Sequence, residues 1–270
     1  MVFQDYALFP HLSAWDNACF GLRRGDDRSR ARWLLELLGL GGLEQRYPHE
    51  LSGGQRQRLA VARALTPGPA VVLLDEPFSN LDVEVRLRLR SELPAVLQQC
   101  GTSGLLVTHD PEEALAICDR VAVLRDGQLH QCASPRELVE QPATPFVGQF
   151  VQQANLVPVV SCDGQELDTP LGRWRLPTAT AAASVDATAM VLLVNPEALS
   201  LEGDPEGDAV VLGREFLGRE WLYQVQLGEL RLRLRLPLSH DWPRGQRGRL
   251  QRRGSGNALL YPARVCVQPA

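Results

Sequence analysis

The chain has 270 residues and a formal net charge of −4, and all 28 of its basic residues are arginine. The absence of lysine excludes lysine-dependent chemistry within these residues, both a Schiff-base lysine and the lysine of a phosphate-binding G-x-x-x-x-G-K-[ST] loop. The slightly acidic balance argues against a dedicated nucleic-acid binder, and six scattered cysteines without a C-x-x-C pair point to a reducing cytosol rather than a disulfide framework or a zinc site.

Up to about Phe150, helical patterns alternate with short apolar runs, the pattern of an α/β domain with a parallel sheet. The first residues hold Asp5 and Asp16 and no basic stretch ahead of a long apolar run, unlike a signal peptide. Runs such as Ala189 to Val194 fall short of the roughly 18 apolar residues of a membrane helix. Gln4 sits in Val2-Phe3-Gln4-Asp5-Tyr6, and a single glutamine carries no assignment by itself. Arg30 to Leu40 reads as a helix that Gly41 and Gly42 end.

Leu51-Ser52-Gly53-Gly54-Gln55 precedes a helical run from Arg56 to Leu65, with Ser52 placed as N-cap. Two glycines leave the first N–H groups of the helix bare at the positive end of its dipole, a turn suited to a phosphate. An ordinary glycine-containing helix start is the plain alternative. Val71 to Leu74 reads as a buried strand that delivers Asp75 and Glu76 at its C-terminal end, where open α/β sheets place ligands. Period-two geometry points those two carboxylates in opposite directions, so one can serve a magnesium ion and the other a nucleophilic water. Ser79-Asn80-Leu81-Asp82 follows as a candidate capping turn. Gly104 to Thr108 is a second apolar strand that ends in His109. Both strands read as covered on both faces. Asp110, Pro111, Glu112 and Glu113 form a helix start.

After Phe150, strand-sized runs are punctuated by Asp-Gly, Asn-Pro, Gly-Asp and Gly-Glu, the style of a small antiparallel β domain. Val157 to Ser161 and Gln165 to Thr169, around Cys162-Asp163-Gly164, form a candidate hairpin. Thr178 to Ser184 reads as a loop. Glu229 to Leu236 alternates, with Leu230, Leu232, Leu234 and Leu236 on one face and Arg231, Arg233 and Arg235 on the other, a solvated face with a basic ligand-binding strand as the alternative.

Taken together these residues resemble the ATP-binding subunit of ABC transporters, in the importer branch. The order carries the resemblance: a Q-loop glutamine at Gln4, the LSGGQ signature at Leu51 to Gln55, a Walker B strand ending at Asp75 and Glu76, a D-loop at Ser79 to Asp82 and a switch histidine at His109. Its implied fold is a P-loop NTPase domain truncated at its start, with a parallel sheet and a helical subdomain over residues 1–150. A small antiparallel β domain, OB-like and of the TOBE type, follows over 151–270. The resemblance implies ATP and Mg2+ as ligands, with Gln4 near the magnesium and the attacking water, Asp75 supporting the metal, Glu76 as general base and His109 sensing the γ-phosphate. Ser52, Gly53, Gly54 and Gln55 would meet ATP on the opposite subunit of a head-to-tail homodimer, with Asp82 in the same nucleotide-binding set. Tyr6 to Leu12 falls where the family receives a membrane permease. The subunit would then work at the cytoplasmic face of the cell membrane, indirectly with a solute-binding protein and without nucleic acid.

Gln149 to Leu156 is most like ferric-iron importers, with polyamine, sulfate and sugar importers as competitors. Asn195 stands where the family usually carries arginine. The β subdomain and Walker A loop that members carry before the Q-loop glutamine are missing from these residues, and Met1 matches a methionine found inside the family. The polypeptide as written is therefore expected neither to hydrolyse ATP nor to stay monodisperse. A catalytically inactive fragment or regulatory paralogue is the alternative. A soluble ABC ATPase of DNA repair or translation would carry coiled coils or basic inserts, and neither occurs.

Overall fold

The apolar runs that end at Asp75 and before His109 pair in parallel: β1 (Val71–Asp75) lies beside β2 (Ser103–Val107), in register from Val71 opposite Ser103 to Asp75 opposite Val107. Val2 extends the ladder on the other side of β1, donating its N–H to the Leu73 carbonyl at 2.8 Å and accepting from Asp75 N at 2.9 Å. Five helices accompany the pair in the first unit: α1 (Ala14–Cys19), α2 (Ser29–Leu37), α3 (Gly53–Leu65), α4 (Val83–Gln99) and α5 (Pro111–Ile117). Leu34, Leu35, Leu59, Leu65, Val72, Leu74 and Phe78 are the middle of one core that also takes Leu89, Leu93 and Val96 of α4. The computed structural model describes residues 1–163, 166–175, 190–253 and 258–262.

Three readings are corrected here. The parallel strands are covered on one face only: Val72 and Leu74 are buried, whereas Val71, Leu73, Leu105 and Val107 are 55%, 42%, 56% and 54% exposed. Alternate side chains of a strand leave opposite faces, and the helices of this unit pack on the face of Val72 and Leu74. Helix α2 ends at Leu37 rather than at Gly41, because Gly39 already takes the left-handed conformation at φ 68° while its N–H donates to the Glu36 carbonyl. The third concerns the hairpin described below.

Chain packing divides between Asp119 and Arg120, giving units Met1–Asp119 and Arg120–Ala270. The second unit opens with a hairpin, β3 (Val121–Arg125) and β4 (Gln128–Ala133), then α6 (Pro135–Glu140) and α7 (Pro145–Gln152). Helix α7 sets its buried Val147 and Gly148 toward β5 (Asn155–Pro158) and β9 (Met190–Val194).

The remaining strands are antiparallel. A three-stranded sheet has the order β15 (Leu259–Pro262), β9, β5. A second runs through β6 (Ser161–Asp163), β7 (Glu166–Thr169) and β8 (Gly172–Arg175). The expected hairpin therefore exists between β6 and β7, but its first arm is Ser161–Asp163, because Val157 is committed to Leu192 of β9. The five-stranded sheet has the order β10 (Leu199–Gly203), β14 (Arg247–Arg252), β11 (Ala209–Phe216), β12 (Glu220–Leu227), β13 (Leu230–Pro237). In β13, Leu232, Leu234 and Leu236 are buried while Arg231 and Arg233 face water, as the alternation requires. Edge strand β13 is blunted by Asn155, whose Nδ2 donates to the Arg233 carbonyl at 2.9 Å and whose Oδ1 accepts from Arg233 N at 2.7 Å. Asn195 caps a short 3-10 turn through Glu197 N at 3.0 Å and donates to Gln152 Oε1 at 3.0 Å. Thr178 to Ser184 lies outside the described residues. Among the described residues no helix is long and apolar enough to cross a membrane.

Candidate functional site

The C-terminal ends of β1 and β2 meet at Glu76 and His109, whose Oε1 and Nδ1 stand 3.1 Å apart. Glu76 is in the left-handed region at φ 43°, which costs a non-glycine residue about 1–3 kcal/mol and persists only where its surroundings impose it. Here they do. Its N–H continues the ladder to the Val107 carbonyl at 2.9 Å, and its own carbonyl accepts from Ser79 Oγ at 3.0 Å and Ser79 N at 3.3 Å. The left-handed turn breaks the two-residue period after Asp75, so the orientation of Glu76 is set by the turn and not by strand alternation. Glu76, Ser79, Arg86, Thr108, His109, Asp110 and Glu113 line one pocket. Asp110 caps α5 through Glu112 N at 2.8 Å, and Thr108 Oγ1 accepts from Asp110 N at 3.1 Å while donating to Glu113 Oε2 at 2.7 Å.

Gln4 and Asp75 stand beside this pocket without lining it. Val2 is hydrogen-bonded to Asp75, which places Gln4 just past the end of β1, and Asn80 Nδ2 donates to the Gln4 carbonyl at 2.9 Å. Tyr6 and Ala7 then follow in left-handed conformations, at φ 66° and 45°. Arg63 of α3 satisfies both carbonyls, Nη2 to Tyr6 at 3.0 Å and Nη1 to Ala7 at 2.6 Å. Burial pulls the Arg63 guanidinium below its ordinary pKa and pushes the Tyr6 hydroxyl above its own. Asn17, fully buried, holds the next stretch: Nδ2 donates to the carbonyls of Phe9, Leu12 and Ser13 at 3.1, 3.0 and 3.0 Å, and Oδ1 accepts from Phe9 N at 2.9 Å.

Ser52 caps α3 in a reciprocal box, its Oγ accepting from Gln55 N at 3.3 Å and its N–H donating to Gln55 Oε1 at 2.8 Å. Neither residue lines the Glu76 pocket. Instead the start of α3 meets the turn before α4, which Asp82 caps through Val85 N at 3.0 Å. A Cβ on Gly54 would fall 2.6 Å from Val85 Cγ1, so packing disfavours a side chain at this position whatever it binds.

Sequence reasoning named Glu76 and His109 separately, and the structure brings them together. That reasoning missed Arg63, which acts on backbone far along the chain, and Asn17, which holds the loop just before its own helix; it named Asn80 only as part of a turn and gave Glu113 only the role of a helix-start acid. The one available signal was Asn17 on a short helix among apolar neighbours.

A family model described as ABC transporter matches residues 1–79. The chain is 43% identical over 235 residues to the Fe(3+) ions import ATP-binding protein FbpC 1 of Rhizobium meliloti (strain 1021), covering 84% of this chain and 66% of that one. It is 50% identical over 173 residues to the Fe(3+) ions import ATP-binding protein FbpC of Agrobacterium fabrum, covering 62% of this chain and 49% of the relative. It is also 39% identical over 282 aligned positions to the spermidine/putrescine import ATP-binding protein PotA of Pseudomonas fluorescens, covering 96% and 75%. The chain thus spans between 49% and 66% of the length of these two iron-import relatives.

Proposed function

The chain belongs to the ABC transporter family, in the group of import ATP-binding subunits, and from that membership we propose that it binds ATP and couples its hydrolysis to uptake of a small solute, ferric iron first. The observation that carries the reading is the strained Glu76 held 3.1 Å from His109 at the end of a parallel strand pair, next to Asp75. Iron as cargo is supported by the names of the FbpC relatives. Polyamine import is the second reading, favoured by the PotA relative that covers 96% of the chain.

Among the described residues no group of three or more His, Cys, Asp or Glu could by itself hold a metal. That suits magnesium, which takes one or two carboxylates and completes its shell with water and substrate phosphate oxygens. Asp75, with Gln4 beside it, supplies hard oxygen donors of that kind. Bound Mg2+ would neutralise phosphate charge and orient the substrate. Glu76 accepts a proton from a water held at its carboxylate, and His109, hydrogen-bonded to that carboxylate, keeps it aimed and offers a contact to a phosphate. The bare N–H groups at Gly53 and Gly54, on the positive end of α3, bind phosphate of a nucleotide carried by a second copy in a head-to-tail homodimer. Because the 270 residues contain no lysine, no residue here is assigned to the cation that usually faces the β-phosphate.

In functional terms the nucleotide-binding module runs over 1–150 and a TOBE-like module over 151–270, at the cytoplasmic face of a membrane permease that docks on Tyr6 to Leu12. The test is ATP turnover and iron uptake by an importer assembled with a form of this subunit that also carries a phosphate-loop lysine ahead of Gln4, with Glu76 in place and with Glu76→Gln. Turnover lower by about 10²–10⁴-fold in the variant supports the assignment; equal turnover overturns it. The chain by itself is expected to show no magnesium-dependent ATPase activity.

A further inference from the structure

His109 presents a difficulty of position. Its side chain is 75% exposed and, among the described residues, its ring is hydrogen-bonded only to Glu76, so packing does not hold it. Its place must come from the backbone on either side. Both neighbours are tied to one buried group. Glu113 is 4% exposed although the adjacent Glu112 of the same helix start is exposed, and an acid that served only the helix dipole would be solvated like Glu112. The Glu113 carboxyl receives the only proton of the Thr108 hydroxyl, at 2.7 Å. With its proton committed, that hydroxyl offers a fixed lone pair to Asp110 N, at 3.1 Å. Asp110 in turn closes onto Glu112 N at 2.8 Å. Glu113, Thr108 and Asp110 therefore form a ring around the residue they flank.

We propose that Glu113 is a positioning residue for the Glu76–His109 pair, acting through the Thr108 hydroxyl to fix the backbone that aims the imidazole; this rests on the role proposed above for that pair. A buried carboxyl is costly to keep, and here it sets a turn that no apolar side chain could set.

The experiment uses the full chain and two readouts that need no turnover: exchange of the Asp110 amide by NMR, and the ring resonances of His109, with Glu76→Ala as the reference for a ring that has lost its partner. Glu113→Met and Thr108→Val, close in size but without acceptor or hydroxyl, are each expected to speed Asp110 exchange by about tenfold and to move the His109 resonances toward the Glu76→Ala positions. The double variant should go no further than Thr108→Val alone. Glu113→Gln and Thr108→Ser, which keep an acceptor and a hydroxyl, should stay within about twofold of wild type. The proposal is overturned if Glu113→Met lowers the unfolding midpoint while Asp110 exchange and the His109 resonances stay at wild-type values, because Glu113 would then be structural only. An importer that turns over ATP equally well with Glu76→Gln would sink the catalytic reading and leave these readouts intact.

Discussion

Placing a methyl group on Gly54 tests what the second glycine of Leu51-Ser52-Gly53-Gly54-Gln55 is for. The added Cβ would sit 2.6 Å from Val85 Cγ1, and 3.8 Å from Val85 Cβ and Cγ2. The first distance is about 1 Å inside the roughly 3.5–4.0 Å of favourable carbon–carbon contact. Val85 is the third residue of α4, and a helical valine has essentially one comfortable rotamer, so it cannot swing aside. Overpacking of this kind costs about 1–3 kcal/mol, and the better helix propensity of alanine returns at most about 1 kcal/mol. Gly54→Ala should therefore destabilise the first unit by about 1–2 kcal/mol. Val85→Ala alone removes two partly buried methyl groups and should cost about 1 kcal/mol. In the double variant the new methyl occupies the space vacated, so the pair should be more stable than the sum of the singles by about 1–2 kcal/mol. Urea unfolding of the four chains, with the first unit followed through Trp15 and Trp33, measures the cycle. A Gly54→Ala chain as stable as wild type, or strictly additive variants, would refute the packing argument and leave phosphate contact as the only reason for glycine.

Other perturbations have equally definite outcomes. Asn17→Ala strands the Phe9 N–H and the Leu12 carbonyl, while the Phe9 and Ser13 carbonyls keep the backbone N–H groups of Leu12 and residue 17, and should lower the unfolding free energy by about 2–4 kcal/mol in urea, whereas Asn17→Asp restores only the acceptor. Trp174 is 2% exposed, with the Arg252 guanidinium 4.5 Å above its ring, so Trp174→Ala should cost about 3–5 kcal/mol by denaturant unfolding of the second unit. Burial pushes the Tyr261 hydroxyl, which donates to the Pro142 carbonyl, up to about 12. The unfolded phenol ionises near ~10, so the folded chain keeps a proton that the unfolded chain has lost. The associated stability is complete below about pH 10 and is lost as the pH climbs toward about 12; Tyr261→Phe should flatten that alkaline decline in unfolding midpoints.

The elements that carry local signals were legible from residue order. Ser52 reads as the N-cap of its helix, and the structure caps α3 with it. Asp110-Pro111 starts a helix, the leucines of β13 point inward, and the apolar runs before Asp75 and His109 pair in parallel. These outcomes depend on period, caps and turn chemistry within a few residues, which the sequence states directly. Tertiary structure decided the rest. Glu76 is left-handed because Val107 and Ser79 grip it from both sides, and no propensity announces that conformation at a glutamate. Val157 pairs with Leu192 rather than within the adjacent hairpin, and α7 packs with the β-rich unit, because distant apolar surfaces offer more burial than near neighbours. The opening observation, that every basic residue is arginine, also gained content only in three dimensions: Arg63 spans two left-handed carbonyls, a two-pronged reach that a fork of guanidinium donors supplies and a point-charge ammonium does not. Sequence determined which residues could do chemistry; contacts between residues far apart in the chain determined which of them face one another.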